Sequence, residues 1–118
     1  MILQEIKDKL LEIDPNVFYG MVDDTVIDTD WNYIVFMRKS LSVSNNKTGQ
    51  SDRFTVAIIR ENFIPEGLDN AVIEKMTEIE GMRLANPDCL YNYTLKPNTN
   101  TVVELLTMEF VKARKRDL

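Results

Sequence analysis

The chain contains no histidine. That absence removes the commonest general base, the Ser-His-Asp and Cys-His nucleophile systems, and most zinc sites together. Its single cysteine, Cys89, permits no internal disulfide and cannot alone build a thiolate metal cluster, a usage that fits a reducing cytosol. Only four glycines are present, and none has the spacing of a P-loop or a dinucleotide fingerprint. No run of about 18 apolar residues occurs, so no membrane-spanning helix is expected. The opening MILQEIKDKLLEI is amphipathic and lacks the basic-then-apolar layout of a signal peptide, so export is not expected. Together these absences lead to an expectation of no catalysis, no cofactor and no bound metal.

What is present fits one α+β domain over residues 1–118. A second domain would leave each part too small for a good core, and the 44 % apolar and 28 % charged fractions are ordinary for a globular chain. Leu3, Ile6, Leu10 and Ile13 recur at three-and-four spacing and predict a helix over residues 2–13, stopped at Asp14-Pro15. Val17-Phe18-Tyr19 and Tyr33 to Arg38 read as strands. Arg53 to Arg60 alternates Phe54, Val56 and Ile58 against Thr55 and Ala57, a clear strand. Leu68, Val72, Met76 and Ile79 share a face of a second helix over residues 68–80, with Gly81 as its expected C-cap. Cys89 to Lys96 and Thr101 to about Lys112 complete the chain as strands joined by the turn Pro97-Asn98-Thr99-Asn100. The expected order is α-β-β-β-α-β-β, a mostly antiparallel sheet with both helices packed on one face. Leu10, Phe54, Ile58, Val72, Met76 and Leu106 are the expected core.

Charge is uneven. The chain carries −5 overall; the last seven residues, KARKRDL, contribute +3, leaving −8 on residues 1–111. An acidic body argues against general or sequence-specific nucleic-acid binding, which needs a basic face. Lys112, Arg114, Lys115 and Arg116 in the tail either touch an acidic surface or form a solvated, solubilising end.

Three constellations invite a chemical reading. Asp23, Asp24, Asp28 and Asp30 crowd one connection and could offer oxygen ligands, but they lack the alternate spacing, turn glycine and closing glutamate of a calcium loop, and read as a solvated turn. Glu61, with Arg60 and Glu66 nearby, resembles a carboxylate-bearing nuclease strand without its lysine. Cys89 reads as a small buried hydrophobe because no basic partner is visible. Residues 40–52, SLSVSNNKTGQSD, differ from all of these. They hold no large apolar cluster and are too long for an ordinary hairpin loop, so they are expected to form a long connection, with extended arms, that works outside the core. Ser42, Ser44, Asn45, Asn46, Lys47, Thr48, Gly49 and Gln50 are its candidate protein-contacting residues.

The opening amphipathic helix, Val17-Phe18-Tyr19-Gly20, Tyr33-Ile34-Val35-Phe36, Ser51-Asp52-Arg53-Phe54 running into Ile58-Ile59-Arg60-Glu61-Asn62, Gly81 after helix two, Tyr91-Asn92-Tyr93 and the closing Glu109-Phe110 with its basic end resemble the tail-completion or tail-terminator proteins of long-tailed bacteriophages and prophages. The resemblance covers nearly the whole chain, and none of its residues is a catalytic signature. It implies a structural virion protein, made in the host cytoplasm and placed at the head–tail neck, that forms a homo-oligomeric, usually hexameric, ring. The ring caps the tail tube protein and joins it to the head-completion or connector protein, with DNA passing through the lumen. An acidic lumen would suit that passage, and the same acidity also serves solubility. Segment 40–52 best matches the family's extended hairpin. A different neck or minor capsid component, and a cytosolic adaptor domain unrelated to phage, are the alternative readings.

Overall fold

The computed structural model describes residues 1–22, 31–43 and 49–115, the side chains of residues 114 and 115 excepted. Helix α1 spans Ile2–Leu11, with Glu5 in its first turn and Lys9 in its last, both favourable to the helix dipole. Its buried face is Ile6 and Leu10. Helix α2, Leu68–Thr77, buries Val72 and Met76 and likewise places Asp69 early and Lys75 late. Six strands accompany them among the described residues: β1 Val17–Tyr19, β2 Tyr33–Val43, β3 Gly49–Glu61, β4 Met82–Leu84, β5 Leu90–Leu95 and β6 Val102–Lys115.

The strands form one sheet in the order β1-β2-β3-β6-β4, with β5 pairing β6 beside β4. All pairs are antiparallel except β1 with β2. The expected α+β architecture and the two helices are therefore present, with three refinements. Both helices end two or three residues early: α1 at Leu11, and α2 at Thr77 with Glu78 as its cap. Gly81 therefore caps no helix; it takes φ 81° in the turn leading into β4, the strand that the sequence reading lacked.

Register explains the core. Ile58, Val56 and Phe54 of β3 stand opposite Leu106, Met108 and Phe110 of β6, and Ile34 and Phe36 of β2 lie in the same rows. Directly opposed residues share a face, so these form three apolar layers under Ile6, Leu10, Val72 and Met76. All six expected core residues are buried there. The opposite face carries a smaller cluster around Tyr33, Val35, Ile59 and Val103, flanked by Phe18 and Trp31.

The apolar layers stop at Phe54 and Phe110, but the strands do not. Beyond them β2, β3 and β6 run on together as a three-stranded arm. The molecule measures 53 × 27 × 24 Å with a radius of gyration of 15.6 Å, against about 13.5 Å for a compact domain of this length.

Candidate interaction surface

The arm is where the sequence placed a long connection. Ser42 sits in β2 opposite Ser51, and Val43 pairs with Gln50. Gly49 and Gln50 begin β3 and face Lys115 and Arg114 of β6. Residues 40–43 and 49–52 of that segment are thus paired strand. Ser44, Asn45, Asn46, Lys47 and Thr48 lie outside the described residues, as does Arg116. The basic end is equally ordered in its backbone: Lys112 to Lys115 are strand residues and ladder partners of Gly49 to Asp52. The sequence named two separate candidate segments, and β6 brings them onto one ribbon.

At the base of the arm the register slips between Arg38 and Ser40. The extra residue, Lys39, forms an ion pair with Glu109. Such a bulge bends and twists the strand that carries it. Next to it an open groove of about 560 Å³ is lined by Ile2, Arg38, Leu41, Asp52, Phe54 and Lys112 among others. Its lining combines apolar Ile2, Leu41 and Phe54 with four basic residues, Arg38, Lys39, Arg53 and Lys112, and one carboxylate, Asp52. Lys112 Nζ is anchored on the Glu80 carbonyl, whereas neither Arg38 nor Arg53 forms an ion pair among the described residues.

A second surface lies at the other end of β6. Every residue of β5 is exposed, and Tyr91, Tyr93 and Leu95 stand opposite Leu106, Glu104 and Val102. Glu104 organises this end: Tyr93 Oη donates to its Oε2 at 2.8 Å, and the Ile64 backbone N–H donates to its Oε1 at 2.8 Å. The bond to Ile64 holds the adjoining loop so that Phe63 remains 70 % exposed. Tyr93's hydroxyl is pushed above its ordinary value, chiefly because it donates to the Glu104 carboxylate. Strand β5 has no charge, proline or bulge from Leu90 to Leu95, so it lacks the usual protection of an open edge.

The other sequence candidates resolve as structure-holding contacts or fall outside view. Asp23, Asp24, Asp28 and Asp30 lie outside the described residues. Glu61 accepts from Asn32 Nδ2 at 3.1 Å and pairs with Lys96 at 3.0 Å, tying three loops together. Arg60 is turned to Asp14, a carboxylate only 4 % exposed, and donates as well to the carbonyls of Ile59 and Tyr33 at 2.9 and 3.2 Å. Cys89 packs against the core, and burial first, then Asp88 and Asp69, push its thiol upward, away from easy ionisation. No group of three or more Cys, Asp or Glu suited to a metal is found among the described residues.

The fold also separates charge. Among the described residues, the arm (38–43, 49–53 and 111–115) holds six Lys or Arg against Asp52, a net +5, and the others carry −7. Against known proteins, no family model matches the chain and no curated protein matches its sequence.

Proposed function

We propose that this chain is a structural protein of the head–tail neck of a long-tailed phage, assembling as a ring that caps the tail tube and meets the head connector. The observation that carries the reading is the three-stranded arm. Between Lys39 and Val43 it buries no side chain, so the fold's own core gives no reason for its length. A ribbon of this kind suits contact with another protein. Its basic charge on an acidic body gives that contact an electrostatic sign, and the acidity of the body suits a channel that DNA passes without adhering.

Sedimentation of the chain alone and with the tail tube protein of the same genome tests the reading. A ring-sized species on the tube is the expected result. A monomer under both conditions rejects the neck assignment.

A further inference from the structure

Two complementary surfaces stand at opposite ends of one strand. Strand β6 runs 14 residues from Val102 to Lys115, about 45 Å at roughly 3.3 Å per residue. Its first half pairs with β5 and, through Glu104, holds the loop of Phe63; its second half forms the arm beside the largely basic groove. We propose that the aromatic end of one copy seats in the arm-base groove of the next. The contact rests on the ring reading above and supplies the two surfaces that reading needs.

Shape, chemistry and charge each favour a second copy as occupant. Phe63 and Tyr93 are 70 % and 62 % exposed, and the bonds of Ile64 and Tyr93 to Glu104 gather them at one end. The groove, of about 560 Å³, offers Ile2 and Leu41 as apolar contacts beside the buried Phe54, with Arg38 in its lining. A guanidinium over an aromatic face adds cation–π attraction. Residues 61–70 and 86–105, which build the aromatic end, hold five Asp or Glu against Lys96, a net −4. They would meet an arm whose described residues sum to +5. The arm's exposed side chains Leu41 and Val43 are aliphatic, with no aromatic on which nucleotide bases would stack, so a protein surface suits it better than a single-stranded nucleic acid.

Because the two surfaces differ, the contact is heterologous. Each copy uses its groove on one neighbour and its aromatic end on the other, which closes as a ring or runs on as a filament. A burial of roughly 800 Å² per partner is the expected scale.

Complementation tests this directly. A groove variant, Arg38→Glu with Leu41→Asp, keeps the aromatic end; an end variant, Phe63→Asp with Leu95→Lys, keeps the groove. All four side chains lie on the surface, and circular dichroism with a thermal melt checks that both variants fold. Wild-type protein should self-associate with concentration in low salt, more weakly by about tenfold when NaCl rises from roughly 50 to 500 mM. Each variant alone should be monomeric, and an equal mixture should give a dimer and nothing larger. A wild-type chain that stays monomeric to millimolar concentration in low salt overturns the proposal, as does a variant that self-associates alone or a mixture that stays monomeric. Mixing wild type with inorganic polyphosphate or short duplex DNA separates a polyanion partner: tight binding there, with no self-association, also overturns it. The two readings fail separately. Self-association without binding to the tail tube keeps the contact and rejects the neck assignment; tube binding by a strict monomer does the reverse.

Discussion

Replacing Arg60 by methionine should be among the most damaging single changes near the sheet's end. Asp14 is 4 % exposed and the Arg60 side chain 13 %, so solvent screens the pair little. Arg60→Met removes the ion pair and the two bonds to the Ile59 and Tyr33 carbonyls. Asp14 would keep one bond, from the Asn16 N–H at 2.8 Å, and would remain a buried charge without a counter-charge. Breaking such a pair from one side costs about 3–5 kcal/mol. A chain of 118 residues has roughly 6–18 kcal/mol of stability at about 0.05–0.15 kcal/mol per residue, so the loss is a large share of the total. Asp14→Asn should cost less, about 1–3 kcal/mol, because the amide is neutral and still accepts from Asn16. The double variant should then be more stable than the two losses added, by about 1–3 kcal/mol of coupling. Urea titration of all four proteins gives the cycle. An Arg60→Met loss under about 1 kcal/mol, or strict additivity, refutes the reasoning that this pair locks the α1–β1 turn to β3.

Leu10→Ala and Met76→Ala each empty a fully buried site between helix and sheet and should cost about 2–5 kcal/mol by denaturant titration; under about 0.5 kcal/mol in both would contradict the helix faces. Lys9 and Glu78 join α1 to the end of α2 at 2.9 Å on the surface. That bond, the first cause in each case, lowers the Glu78 carboxyl and raises Lys9 from 10.5. The Glu78 contribution is therefore present above the ordinary carboxylate range and disappears as the pH falls through its lowered pKa; the Lys9 contribution disappears only above 10.5. Melting wild type and Glu78→Gln across pH should show a small difference near neutrality that closes in acid and in high salt; a difference that grows in acid is the contrary result. Replacing residues 43–50 with Asn-Gly keeps Ser42 opposite Ser51 and, among the described residues, removes no buried side chain, so stability should stay within about 1 kcal/mol while neck or tail particles fail to assemble; normal assembly would leave the arm without a role there. Deleting residues 112–118 should free the Leu41–Val43 and Gly49–Arg53 amides to exchange with solvent, because a lone two-stranded ribbon is marginal in water; unchanged protection would contradict that dependence.

What the sequence made legible and what it hid divide along physical lines. Alternation in Phe54, Val56 and Ile58 and the helical spacing of Leu68, Val72 and Met76 report burial on one face, and the core formed where they pointed. Met82-Arg83-Leu84 is too short for any period to register, and only its ladder to Phe110–Lys112 makes it a strand. Lys112 to Lys115 are poor strand formers, yet cross-strand pairing with Gly49–Asp52 overrides that preference. Leu90, Tyr91, Tyr93 and Leu95 carry strand propensity without disclosing that all four are exposed. The Asp14–Arg60 pair joins residues 46 apart, a separation at which local pattern carries no information. The arm was visible as a segment with no core to serve, its partner strand was not, and so the site's two halves were named without being joined.

The open edges of the sheet carry the last step of the argument. Its short β1 edge, Val17–Tyr19, is followed by Gly20, and the bare edge of β2 in the arm is interrupted by a bulge and the charge of Lys39. Both features are ordinary defences against unwanted pairing. Strand β5 has neither, and the flanking Phe63, 70 % exposed, precedes Ile64, whose N–H donates to the Glu104 carboxylate. A sheet that guards its β1 and β2 edges and leaves β5 bare, next to an exposed aromatic and at the far end from the groove, presents there the surface that the proposed contact would cover. Selection against aggregation would otherwise place a lysine or proline in Leu90–Leu95, where every side chain is exposed and such a change would cost little folding energy.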